Sequence, residues 1–159
     1  MSTKPWQIVA LATLCFIQAS HLLSSIVSDL LVSSNPASVE AWAEMGFKAS
    51  ESGPDVHAIY DYLANSQYIF VTMMVVTFMF GFLLYRGEYM PAVRLTGTIY
   101  FAVGLVGQII AAGRSADGTP LDSEMADFFS LGFTALLLVG FISLFAGNSA
   151  QWVKSHAKG

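Results

Sequence analysis

The sequence predicts an all-α integral membrane protein, a four-transmembrane-helix bundle with a short amphipathic helix in the first external loop. Of the 159 residues, 55% are hydrophobic and only 11% are charged, and the mean hydropathy is +0.60. Soluble domains typically contain about 25% charged residues. The apolar residues form four long runs, and the lysines and arginines are distributed unevenly between the segments that flank them. These observations predict one membrane domain over residues 1–159.

Each apolar run has about 20 residues or more, the length that a helix needs to cross a hydrocarbon core about 30 Å thick. Backbone amides in lipid need partners within the protein, which only helices and closed barrels supply. Because the apolar residues are continuous rather than alternating, helices are predicted. The predicted spans are approximately residues 6–29, 62–85, 92–113 and 125–146.

The basic residues predict the orientation of these helices, because lysine and arginine are enriched in cytoplasmic loops. One side receives five of them: Lys4, Arg86, Arg94, Lys154 and Lys158. The other side receives only Lys48 and Arg114, together with most of the acidic residues. We therefore expect a multi-pass protein with both termini in the cytoplasm. Compact loops and the lack of an evident transit peptide favour a bacterial plasma membrane.

The first external loop contains the predicted amphipathic helix. Asn35-Pro36 is typical of a helix start, and the following apolar residues share one face at 3.6-residue spacing. Trp42 and Phe47 are the large members of that face and are predicted to contact the membrane interface. The helix is expected either to lie flat on the outer leaflet or to cap the bundle.

The first span contains an unusual number of polar residues, in the stretch FIQASHLLSSIVSD (residues 16–29). At helical spacing they form one polar stripe, and polar residues of other spans fall at similar depth. The resulting candidates for a ligand or proton site are Gln18, His21, Ser25, Gln108, Thr72 and Thr134. Ionisable residues inside a membrane are frequently functional. The alternative is that these groups form ordinary hydrogen bonds between helices, each contributing about 0.6 kcal/mol.

The sequence gives limited support for a bound cofactor or metal ion. His21 could act as the single axial ligand of a haem or a chlorophyll-type pigment, whereas the other two histidines are predicted to lie near water on opposite sides. The lone Cys15 excludes a cysteine-based metal site, and the pair His57 and Asp61 fits a solvated helix cap better than a metal site. Since the common hydrolase and phosphate-binding motifs are also missing, the sequence does not favour an enzyme.

Small residues recur along the third span and predict close helix packing. They lie on roughly one face: Gly97, Gly104, Gly107 and Ala111. The face could serve packing within the bundle or against a partner.

Three functions are compatible with the sequence. The first is a non-catalytic small subunit or accessory protein of a larger membrane complex, whose partners are lipids and other integral membrane subunits or further copies of the chain. The second is a small oligomeric transporter or channel with a polar path at Gln18, His21 and Gln108. The third is a haem- or pigment-binding subunit that uses His21. Nucleic-acid binding is not indicated, because the few basic residues mostly flank the spans.

Overall fold

The computed structural model describes residues 4–46, 56–114 and 121–155, and the chain is helical through almost all of these ranges. The elements are α1 (Trp6–Ser33), α2 (Pro36–Gly46), α3 (Val56–Arg86), α4 (Met90–Arg114), α5 (Leu121–Ser143) and α6 (Gly147–Ser155). The described residues contain no strand. The prediction of an all-α fold is therefore confirmed.

Three helical segments of the described residues are long and apolar enough to cross a membrane: Trp6–Ser33, Leu63–Arg86 and Met90–Ile110. A fourth span results if Ser130–Ser143 and Gly147–Ser155 are taken together, although the chain bends by 66° between them. The short helix α6 was not predicted, because its composition is polar and it follows the last apolar run.

The helices extend beyond the predicted spans at their outer ends. α1 continues past Asp29 to Ser33, where the hydroxyls of Ser33 and Ser34 donate to carbonyls of the preceding turn. At the start of α2, the Asn35 side chain accepts a hydrogen bond from the Ala37 amide at 3.1 Å. This is the N-cap bond that satisfies an otherwise free donor in the first helical turn.

The amphipathic helix α2 packs against the ends of α1 and α3. Val39 is completely buried and forms a small separate core with Leu63 of α3 and Val32 of α1. Of the two arrangements predicted for this helix, the contact matches the one in which the helix caps the bundle. The Trp42 side chain and Phe47 lie outside the described part of the chain, so their interfacial role stays a prediction.

The main core joins α1, α3, α4, α5 and α6. The most extensive helix contact is between α1 and α3, followed by α4 with α5, whereas α3 and α4 contact each other far less despite being consecutive. Fully buried side chains at the centre include Ile8, Leu84, Leu137 and Phe141. The bundle therefore has two well-packed helix pairs with a looser seam between α3 and α4.

The first residues of the described chain and α6 meet at the turn between α3 and α4. Gly87 in this turn has φ +76°, and a Cβ there would lie 2.6 Å from the Trp152 ring. The Lys4 ammonium donates to the carbonyls of Leu84 and Tyr85 near the end of α3, where the helix dipole favours a cation. Partial burial lowers the pKa of Lys4. The turn at Gly87, in a conformation suited to glycine, therefore allows the Trp152 ring of α6 to pack closely at this end of the bundle.

The small residues of α4 do not share one environment. Gly97 is buried against the Phe141 ring, which a Cβ would overlap, and a Cβ at Gly104 would lie 3.9 Å from Thr134. Gly107 is exposed, and a Cβ added there would meet no atom within 4 Å. Of these three glycines, only Gly97 is needed for close packing against the residues that the structure describes. The Ala111 side chain lies outside the described residues.

This difference predicts that Gly97→Ala destabilises the protein and that Gly107→Ala does not. The added methyl at position 97 forces Phe141 out of place, and overpacking of this kind costs about 1–3 kcal/mol. Gly107→Ala is the matched control on the same helix, because its methyl meets open space. Thermal unfolding of both variants in the same detergent measures the effect, and equal midpoints would contradict the packing described here.

Candidate functional site

A cavity of ≈ 490 Å³ lies along the loose seam between α3 and α4. Two residues of α3 and six of α4 form its walls, and one residue each of α1 and α5 completes the lining. These residues are Met73, Thr77, Thr96, Ile99, Tyr100, Phe101, Val103, Gly104, Gln18 and Thr134. A mostly apolar cavity between helices, with a few polar groups, is a common form of small-molecule site.

Aromatic rings fill the space beside this cavity. The Phe80 ring of α3 lies 5.8 Å from Tyr100 and 6.0 Å from Phe101 of α4, measured between centroids. Phe101 in turn stacks on Phe141 of α5 at 5.3 Å. These contacts join α3, α4 and α5 and leave the rings of Tyr100 and Phe101 as part of the cavity wall.

The cavity opens to the outside of the bundle. Ile99 and Val103 contribute to its lining, yet they are 55% and 66% exposed. An occupant can therefore enter sideways between α3 and α4, without passing through the core.

Three buried polar side chains border the cavity. Thr134 is 4% exposed, and its hydroxyl donates to the Ser130 carbonyl at 2.9 Å. Thr77 is 1% exposed, and its side chain lies near the Tyr100 side chain. Gln18 is 6% exposed and makes no hydrogen bond with any residue that the structure describes. The hydroxyl of Thr134 is thus satisfied within the protein, whereas the amide of Gln18 has no hydrogen-bond partner among the described residues.

The structure brings together only part of the predicted polar cluster. Gln18 and Thr134 meet at the cavity, whereas His21 is exposed on the outside of α1. Ser25 is half-buried, and its hydroxyl donates to the His21 carbonyl at 3.3 Å. Thr72 is exposed and donates to the Tyr68 carbonyl of its own helix.

The predicted stripe divides because it straddles the edge of the buried face of α1. Three residues turn a helix by about 300°, so His21 lies about 60° around the axis from Gln18. The buried face ends between these two positions. The expected polar path joining Gln18, His21 and Gln108 is consequently not assembled inside the chain.

Gln108 makes a different contact from the one expected. Its Nε2 donates to the Ser130 hydroxyl of α5 at 3.1 Å, and it does not line the cavity. The Oε1 atom is sealed within the protein without a hydrogen-bond partner among the described residues. Gln108 therefore joins α4 to α5, as expected of a polar residue that links two helices.

The outer surface of α1 carries a second polar feature, which we call the outer serine face. It consists of exposed serines one turn apart and an exposed imidazole: Ser20, Ser24, Ser28 and His21. The Ser20 hydroxyl donates to the Phe16 carbonyl at 2.9 Å. The spacing of the serines at i, i+4 and i+8 is visible in the sequence, but the sequence does not show that these serines lie on the exposed side of α1.

Several residues of the site escaped prediction. Thr77, Tyr100 and Ser130 each provide a polar group at a contact between helices. Their local sequences are ordinary apolar runs, so only their position opposite another helix distinguishes them.

The described side chains form no candidate metal centre. Among them, no three His, Cys, Asp or Glu residues lie close enough to hold a metal ion. Cys15 is buried in the main core. What the cavity and the outer serine face provide is shape, apolar surface and a small number of hydrogen-bonding groups.

Comparison with protein-family models, with curated proteins and with solved structures gives no match to this chain. Its function is therefore inferred from its own residues.

Because Gln108 donates to Ser130, we expect substitutions of these two residues to destabilise the protein to different extents. Ser130→Ala removes the described partner of Gln108 Nε2, next to an Oε1 that is already sealed without one, which costs about 1–3 kcal/mol. Gln108→Leu also removes the sealed oxygen and should cost clearly less. Unfolding midpoints of the two single variants and the double variant test this order. A larger loss in Gln108→Leu than in Ser130→Ala would contradict it.

Proposed function

We propose that this protein is a non-catalytic small subunit or accessory protein of a larger membrane complex, which acts by packing its helices against partner helices in the bilayer. Apolar surface supports the proposal. In the three long helices, only 39%, 17% and 17% of the most apolar window is buried inside the chain. Most of this surface therefore requires lipid or other helices to cover it.

The observation that carries the proposal is the outer serine face. Lipid tails cannot form hydrogen bonds with serine or histidine, whereas a neighbouring helix can. Serines one turn apart also leave room for a partner backbone to approach closely. An exposed row of small polar groups on an otherwise apolar helix is thus better suited to a helix partner than to lipid.

The exposed Gly107 supports the same function from another side of the bundle. It lies on the face of α4 that was predicted to pack, and it is not covered within the described part of the chain. Small exposed residues on two helices give a partner, or several partners, places of close approach.

We propose a bacterial plasma membrane with both termini in the cytoplasm, and the charges support this orientation. Lys4 contacts the end of α3, and Arg94 at the start of α4 lies 4.5 Å from the Phe145 ring near the end of α5. These contacts gather basic residues at one end of the bundle. Cation-rich ends of membrane bundles usually face the cytoplasm.

The polar-path transporter receives less support than the accessory subunit, because Gln18 and His21 lie on different sides of the edge of the buried face. A pigment or haem is compatible only with a shared site, since His21 projects outward and a partner would have to enclose the ligand. The visible spectrum of the purified protein distinguishes this case.

We expect the protein to leave its native membrane in mild detergent together with other membrane proteins. Ser24→Leu should reduce the recovered partner about tenfold, equivalent to about 1.4 kcal/mol, because the larger side chain prevents close approach. The matched control is Val139→Leu, which adds bulk at an exposed position of α5 and should leave recovery unchanged. Sizing chromatography with identification of the co-eluting chains gives the measurement.

Two results of this experiment would contradict the proposal. One is a peak that contains only this protein, either as a monomer or as an oligomer of identical chains. The other is equal loss of partner in Ser24→Leu and in the control. A visible absorption band that disappears in His21→Ala would instead support the pigment-binding function.

Reporter fusions after Gly159 test the proposed orientation. A fluorescent protein that matures only in the cytoplasm should be bright, and a phosphatase that is active only outside should be inactive, because the cation-rich end is retained inside. The reverse pair of signals would place the carboxyl terminus outside and overturn the proposed orientation. If an amino-terminal label were then found inside, the predicted even number of spans would be wrong as well.

A further inference from the structure

The amide of Gln18 is an unexplained polar group on the floor of the cavity. It lies about 2 Å along the axis from the middle of α1, which places it deep in the proposed membrane span. Unlike the Oε1 atom of Gln108, which is sealed, the Gln18 amide borders the open cavity. An amide in an apolar medium without a hydrogen bond costs roughly 2–7 kcal/mol, so an occupant that offers a polar group would be strongly favoured.

The size of the cavity suits a small molecule. Its volume of ≈ 490 Å³ falls in the range of about 300–1,000 Å³ typical of small-molecule sites.

The depth of Gln18 excludes the polar part of a phospholipid. Its ester groups lie at the edge of the hydrocarbon core, about 15 Å from the middle. No charged side chain is among the described residues that line the cavity, so a charged ligand would not be compensated. The fitting class is an uncharged lipid that dissolves within the bilayer and carries its polar group on a ring.

The walls suit a flat ring with a hydrocarbon tail. Tyr100 and Phe101 line the same cavity as Gln18, and aromatic rings favour stacked or edge contacts with one another. The exposed Ile99 and Val103 provide an apolar exit toward the lipid. A carbonyl oxygen on the ring can accept from Nε2 of Gln18.

We propose that the cavity between α3 and α4 binds a quinone-type lipid, an uncharged ring ketone with a hydrocarbon chain, through a hydrogen bond from Gln18. Only binding is proposed, and the residues that carry it are separate from the outer serine face. The purified chain is sufficient to test it, whether or not a partner protein exists.

The experiment uses the full chain in phosphatidylcholine nanodiscs, with decylubiquinone as the probe and protein-free nanodiscs as the blank. Equilibrium dialysis gives the affinity, and the side-chain amide signal of ¹⁵N-labelled Gln18 detects the hydrogen bond. We expect saturable binding that shifts this signal, a loss of about tenfold in Gln18→Leu, and weaker binding of decylbenzene, which lacks the carbonyl.

A second pair of variants tests the position of the site. Val103→Trp should block the opening, whereas Val139→Trp, at a similarly exposed position of α5, should bind like the wild type. These variants and the decylbenzene comparison decide the question even if Gln18→Leu fails to fold.

Three results would overturn the proposal. They are the lack of saturable binding above the blank, equal affinity for decylbenzene, and equal loss in the two tryptophan variants. Binding that persists unchanged in folded Gln18→Leu would likewise show that the amide does not hold the ligand.

Discussion

The close contact between α1 and α3 is the constraint on which the rest of the bundle depends. It centres on Gly81, where a Cβ would lie 3.1 Å from Cys15 and from the Phe16 ring and 3.3 Å from the Ala12 carbonyl. Small residues on both helices allow their backbones to approach. α3 packs mainly against α1, and it contacts α4, to which the chain connects it, far less.

The loose seam between α3 and α4 follows from this pairing. α4 packs with α5 instead, and the aromatic rings around Phe80 and Phe101 connect the two helix pairs. Beyond these rings the helices leave a cavity, whose floor is the buried Gln18 of α1. A cavity of this kind is a consequence of which helices pair, and no single local sequence specifies it.

The polar residues of α1 therefore serve two surfaces. Gln18 belongs to the interior cavity, while the outer serine face is directed away from the chain. In the proposed membrane setting, lipid tails offer no hydrogen bond to the Gln18 amide or to the His21 imidazole. The two proposed partners, a small lipid inside the bundle and another helix outside it, would together account for the many polar groups of this one helix.

The sequence by itself determined the helical class, the approximate apolar runs and the N-cap at Asn35, because hydropathy, length and capping are local properties. It also identified Gln18 and Thr134 as unusual. Only the tertiary structure decided that these two meet at a cavity while His21 faces outward, since a rotation of about 60° around α1 separates the two surfaces. The partner of Gln108, the packing of α6 and the different surroundings of Gly97 and Gly107 likewise depend on which helix lies opposite, and that information is absent from any single segment.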